Sequence, residues 1–187
     1  MRQLSIMVDI DRCIGCKTCI VACRNHNGLV DHENAMPGEM AHYLRVESDL
    51  AGTYPQLSEE FRVVMCQHCN NAPCIKACES GAISKDPQTG IVLIDREKCT
   101  GSGKCIEKCP YNVIQFDEND RIAHKCNLCY DRVVHGLDPV CVETCLTDAL
   151  SFGEREILLM HADAAGKQVI KRRSAQSILY VRNNDQG

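Results

Sequence analysis

Fifteen cysteines in a chain of 187 residues fall into four tight groups, and that grouping constrains the fold more than any hydrophobic pattern does. The first group is Cys13-Ile-Gly-Cys16-Lys-Thr-Cys19-Ile-Val-Ala-Cys23, with gaps of two, two and three residues. In the second, Cys66-Gln-His-Cys69-Asn-Asn-Ala-Pro-Cys74-Ile-Lys-Ala-Cys78, the middle gap widens to four. The third, Cys99-Thr-Gly-Ser102-Gly-Lys-Cys105-Ile-Glu-Lys-Cys109-Pro110, repeats the spacing of the first with a serine in the second cysteine's place. The fourth joins Cys126-Asn-Leu-Cys129 to Cys141-Val-Glu-Thr-Cys145 across an eleven-residue excursion.

Gaps this short suit metal ligation better than paired bridges. The odd count and the lack of a secretory signal before the first group also oppose a disulfide framework. Thiolates are soft ligands that select zinc, copper(I) or iron–sulfur clusters. Zinc is usually held by two ligand pairs well separated in sequence. Here three thiolates fall within seven residues, 13–19, and a fourth follows on what the spacing predicts to be a helix over 18–24. That is the run of two-cluster ferredoxins, in which the last cysteine of each group ligates the other cluster. Crossed ligation makes groups two and three natural partners, so groups one and four must pair across the intervening chain.

The rest of the composition agrees. Only 3 Phe, 5 Tyr and no Trp are available to fill a core, so bound clusters would supply part of the interior. A net charge of −4 and a pI near 6.0 leave no basic footprint for nucleic acid. No apolar run reaches the ~18 residues of a membrane span. The N-terminus shows neither an apolar signal core nor a twin-arginine pair. That permits a cytoplasmic location, or a periplasmic one reached by export with a signal-bearing partner.

The predicted fold class is α+β, with two ferredoxin-like two-cluster modules. Residues 1–34 plus 118–153 form module A, 35–60 an insertion, 61–117 module B and 154–187 a C-terminal tail. Strands are expected at 5–10, 41–47, 61–65, 91–95, 113–116 and 149–152, with the remainder of 25–60 in loops. A helix at 156–165 and an apolar alternation over 177–181 are the tail's only signals, besides the basic triplet Lys171, Arg172 and Arg173. An internal repeat is also visible: Ile83, Ile114 and Leu150 each stand five residues after the last cysteine of a group.

Other residues carry weaker signals. His68 lies inside a full set of thiols, so it reads as a hydrogen-bond donor or a surface residue before it reads as a ligand. His124 and Lys125 precede Cys126, and both electrostatic tuning of that site and simple solvation fit them. His26, His32 and His135 show no ligand spacing. No paired carboxylates, nucleophile–base arrangement or phosphate loop supports catalysis on an organic substrate, and Gly101-Ser-Gly103 belongs to the cysteine loop.

Over roughly residues 1–153 the four groups, their spacings and the phrase Cys126-Asn-Leu-Cys129-Tyr-Asp-Arg132 resemble the four-cluster electron-transfer subunits of molybdopterin oxidoreductases, such as dimethyl sulfoxide, polysulfide, thiosulfate, arsenate and nitrate reductases. The resemblance implies a non-catalytic relay between a molybdenum or tungsten pterin catalytic subunit and a quinone-linked membrane subunit, to which the chain would be peripheral. By the same resemblance Cys13, Cys16, Cys19 and Cys145 hold cluster 1, and Cys23, Cys126, Cys129 and Cys141 hold cluster 2. Cys66, Cys69, Cys74 and Cys109 hold cluster 3, while Cys78, Cys99 and Cys105 hold cluster 4 with Ser102 at the open corner. The cofactors implied are three 4Fe-4S clusters and a further one that is either 3Fe-4S or a Ser102-ligated 4Fe-4S. Electrons would pass along clusters 1, 2, 3 and 4 in that order. The chain departs from the pattern at Glu79 and Leu146, where proline often follows the last cysteine. Other ends for the same relay are a tungsten aldehyde oxidoreductase or a hydrogenase-type complex, and a free polyferredoxin carrier is a further alternative.

Overall fold

The computed structural model describes residues 3–29, 42–170 and 177–184. In chain order the elements are β1 (Leu4–Asp9), α1 (Thr18–Asn27), β2 (Leu44–Thr53), β3 (Gln56–Met65), α2 (Pro73–Ala77), β4 (Ile83–Lys85), β5 (Val92–Ile94) and α3 (Lys104–Glu107). They continue as β6 (Ile114–Asp117), β7 (Ile122–Lys125), α4 (Tyr130–Val133), α5 (Val140–Glu143), β8 (Leu150–Glu154), α6 (Arg155–Ala164), β9 (Lys167–Val169) and β10 (Ile178–Asn183). This is an α+β fold of short elements, and loops carry much of the chemistry.

The three repeat positions have one structural meaning. Ile83, Ile114 and Leu150 are buried, and each is the first residue of its strand, β4, β6 and β8. Two residues before each of them the backbone is left-handed, at Gly81 (φ 69°), Asn112 (φ 50°) and Asp148 (φ 50°). Gly, Asn and Asp are the residue types that best tolerate that conformation. The chain thus leaves its last cysteine, reverses through one left-handed residue and enters a strand. β4 pairs with β5 and β6 with β7, each as an antiparallel pair.

Of the stretch 154–187, expected as a tail, β9 and β10 are built into the main sheet, whose strand order is β8-β1-β10-β9. β10 runs parallel to β1, with Ile6 opposite Ile178 and Val8 opposite Tyr180. β1 pairs antiparallel with β8 on its other side. Ile178, Leu179, Tyr180 and Val181 are all buried, the continuous apolar run of a strand covered on both faces. A 2.6 Å ion pair between Lys167 Nζ and the buried Asp9 carboxylate fastens β9 to β1. The basic triplet at 171–173 lies outside the described residues.

A second correction concerns 48–60, expected in loops. β2 and β3 form a hairpin in continuous register from Leu44 opposite Met65 to Thr53 opposite Gln56. Its outer half is exposed on both faces, so no core demands an alternating pattern there. The root is anchored instead. Leu44, Val63, Val64 and Met65 are buried, the Tyr180 hydroxyl donates to the Val63 carbonyl at 2.9 Å, and Arg182 donates to both oxygens of Glu60 at 2.9 Å.

Two apolar cores result. One gathers β1, β8, β10 and the hairpin root around Cys19, Cys23, Cys66, Cys126 and Cys141. The other packs Ala72, Ile83, Val92, Ile114 and Ala123 around Cys74 and Cys105. Thiols occupy places where a chain richer in aromatics would set rings.

Candidate cluster sites

Each group delivers the cysteine at its third motif position from a helix. Cys19 on α1, Cys74 on α2, Cys105 on α3 and Cys141 on α5 are all buried. Where a group's last cysteine follows on or just past such a helix, it stands about one turn further on. In α1, Cys23 lies four residues after Cys19, on the same face. All fifteen cysteines are free thiols.

Three cavities bring together thiols from different groups. Cys13, Cys16, Cys19 and Cys145 line one cavity, under Val63 and Leu150. Cys66, Cys69, Cys74 and Cys109 line another, together with His68, Val92 and Tyr111. Cys78, Cys99 and Cys105 line a third with Ser80, Gly101, Ser102 and Gly103. The remaining set is the deepest. Cys23, Cys126, Cys129 and Cys141 are all buried, and the Cys141 pKa is raised first by burial and then by Cys126, Cys129, Cys23 and Cys19. Among the described residues no three His, Cys, Asp or Glu side chains converge as a single-ion site. Soft donors spread around a cavity fit a body several atoms wide.

Neighbouring sets touch. Cys19 and Cys23 join the first set to the second through α1, and Cys74 and Cys78 join the third to the fourth at α2. Between the second and third sets, Cys66 is near enough to raise the pKa of Cys126.

Burial governs the thiol ionisation. Desolvation first, then neighbouring thiolates, pushes Cys19 and Cys23 up to about 12 and Cys74 up to about 11. Cys126 and Cys141 are raised further by the same two causes in the same order. Such thiols stay protonated without a positively charged guest. At the surface the balance reverses. The exposed Cys16 is lowered by a hydrogen bond from the Thr18 side chain. At Cys78 a desolvation penalty is outweighed by hydrogen bonds from the Ser80 side chain and from the backbone over 80–83.

Those hydroxyls were missed in the sequence, although a signal was there. Thr18, Ser80 and Thr147 each stand two residues after a cysteine, and Ser80 Oγ and Thr147 Oγ1 lie 3.5 and 3.9 Å from the sulfurs of Cys78 and Cys145. Asn27 Nδ2, one turn beyond Cys23 on α1, donates to its sulfur at 3.5 Å. The structure also decides three residues left open above: His68, His124 and Lys125 are buried, so none is a surface residue. His26 pairs with Asp131 at 3.3 Å, and His135 Nδ1 lies 2.6 Å from the Asp131 carbonyl.

Residues 58–155 match the description "4Fe-4S dicluster domain". The chain belongs to this dicluster family. Relatives of the dicluster protein are similar over most of its length. The thiosulfate reductase electron transfer subunit PhsB of Salmonella typhi is 34% identical over 94% of this chain and 88% of its own. The B subunit of the anaerobic dimethyl sulfoxide reductase of Escherichia coli is 32% identical over 91% of this chain and 83% of its own. The iron-sulfur subunit of the nitrate-inducible formate dehydrogenase of Escherichia coli is 35% identical over 86% of this chain, which spans only 58% of that subunit. The first of these relatives is named as an electron-transfer subunit and the third as an iron–sulfur subunit. Among solved structures, the active site complex BamBC of benzoyl coenzyme A reductase aligns over 94% of this chain at 19% identity and a TM-score of 0.36, too loosely to bear on fold or function.

Proposed function

We propose that this chain is a four-cluster electron relay, set between a molybdenum or tungsten pterin catalytic subunit and a quinone-linked membrane subunit. One observation supports the reading: cysteines assigned to different clusters adjoin at α1 (Cys19 and Cys23), at α2 (Cys74 and Cys78) and where Cys66 comes near Cys126. The clusters, when bound, supply one-electron chemistry at potentials that span roughly −700 to +450 mV across cluster types. The chain's own residues supply ligands, burial and hydrogen bonds. Cys13, Cys16, Cys19 and Cys145 hold cluster 1, Cys23, Cys126, Cys129 and Cys141 cluster 2, and Cys66, Cys69, Cys74 and Cys109 cluster 3. Groups one and four thus make one two-cluster module, and groups two and three the other.

Cys78, Cys99 and Cys105 hold cluster 4 as 3Fe-4S. Ser102 stands exposed at the mouth of that cavity, where the second cysteine of the motif would bind a fourth iron. A hydroxyl is a far weaker acid than a thiol and harder to recruit as an anionic ligand, so the corner is left without iron.

Anaerobic purification from the native source, followed by iron and acid-labile sulfide analysis of the chain and its partners, tests this. The expected result is stoichiometric iron and sulfide, with a large pterin-containing chain attached. A colourless protein containing zinc and no sulfide would overturn the cluster reading. A chain that carries clusters but purifies alone would leave the free carrier in its place.

A further inference from the structure

The region between the second and third thiol sets contains a polar path that ligation alone does not require. His68, between Cys66 and Cys69, is fully buried and lines the third cluster's cavity. Its Nδ1 accepts the Val92 N–H at 2.9 Å. An accepting Nδ1 carries no proton, so the ring's proton is on Nε2. That Nε2 is buried and has no partner among the described residues. An unmet donor in such a place is destabilising unless something accepts from it.

The path continues through the same peptide. The Val92 carbonyl accepts from the Lys125 ammonium, which also donates to the Cys126 carbonyl at 3.1 Å. Lys125 is buried, and among the described residues its acceptors are these two neutral carbonyls, with no carboxylate paired to it. A buried cation costs several kcal/mol when no anion compensates it. Two thiol sets flank it: Cys126, its chain neighbour, belongs to the second, and Val92, whose carbonyl it meets, lines the cavity of Cys66, Cys69, Cys74 and Cys109.

We propose that Lys125 is a positioning residue shared by clusters 2 and 3, a fixed buried positive charge that raises both reduction potentials, and that His68 adds an Nε2–H hydrogen bond to a sulfur of cluster 3 alone. An added electron is a negative charge, so a nearby cation and a proton donor both favour the reduced cluster. The path therefore makes the middle of the relay easier to reduce than ligation alone would make it. This rests on the cluster reading above.

The test is redox titration, followed by electron paramagnetic resonance, of the full chain in its native complex. Iron and sulfide are first measured on the wild type, and their absence would refute the cluster reading itself. With clusters present, Lys125→Met is expected to shift the reduction equilibrium of two clusters at least about tenfold toward the oxidised form, or ~59 mV each. Lys125→Arg should restore both to within about threefold, and His68→Phe should lower only one of the two. No change in any potential with Lys125→Met, or an equal change in all clusters, would overturn the proposal. Should Lys125→Met fail to assemble, the wild type with isotopically labelled lysine nitrogen decides. Pulsed resonance is then expected to show that nitrogen coupled to reduced clusters, and no coupling refutes the assignment.

Discussion

The loops of groups one and three share a backbone path and differ in what stands at its exposed corner. Gly15 and Gly101 are left-handed, at φ 67° and 70°, two residues after the first cysteine of their groups. Lys17 and Gly103 follow at φ 62° and 71° and open α1 and α3. Cys19 and Cys105 then enter the core one residue into each helix. Between the left-handed pairs stand Cys16 and Ser102, both exposed. The environments of the two corners also differ. Thr18 donates to Cys16, while Lys104, in the matching place, pairs with Glu79. The geometry of a cluster loop is therefore set by its left-handed residues and its buried cysteine, and the corner ligand can change without disturbing either.

If that is right, the difference can be moved from one loop to the other. The largest effect is expected from Cys16→Ser, which should turn the first site into a second three-iron centre, doubling the three-iron resonance of the oxidised protein with little change in fold. A large effect on stability should follow removal of the clusters. Cys19 and Cys23 rise from their ordinary 9.0 to about 12, because burial favours the neutral thiol. A raised value means stability is fully present below about pH 9 and is lost as pH climbs toward 12. The cluster-free chain should thus melt at progressively lower temperature across that window, and the loaded protein should not follow it. Cluster insertion, which releases the thiol protons, should be favoured as pH rises.

The glycines allow a finer comparison. A Cβ at Gly103 meets open space, so Gly103→Ala costs only left-handed strain, about 1–2 kcal/mol, as Lys17 already tolerates. A Cβ at Gly101 would collide with the Arg121 carbonyl oxygen on top of the same strain. In a chain of this size ~1 kcal/mol lowers Tm by about 2–4 °C, and Gly101→Ala should cost at least twice what Gly103→Ala does. The smallest effect is expected from Thr18→Val. Losing one hydrogen bond to Cys16 should lower the potential of the first cluster by less than tenfold in equilibrium, under ~59 mV.

The four cysteine groups were legible because their spacing along the chain marks them, whereas their division into ligand sets came from the family resemblance. Ile83, Ile114 and Leu150 were legible as a repeat, and the left-handed Gly81, Asn112 and Asp148 explain it. The outer half of the hairpin was not legible, because it is exposed on both faces and ion pairs such as Arg62–Asp49 leave no periodic trace. Nor was the place of β10. Its apolar run announces a strand, but the parallel pairing of Ile6 with Ile178 spans almost the whole chain. The burial of His68 and Lys125 depends on β5 passing between them, which no local pattern announces.

The two loops meet in one measurement: electron paramagnetic resonance of the oxidised native protein beside Ser102→Cys. A three-iron signal in the native protein, lost in the variant as its iron content rises, is the predicted result. A native protein with full cluster iron and no three-iron signal would mean that Ser102, or water in its place, holds the fourth iron, and that the two corners are equivalent after all.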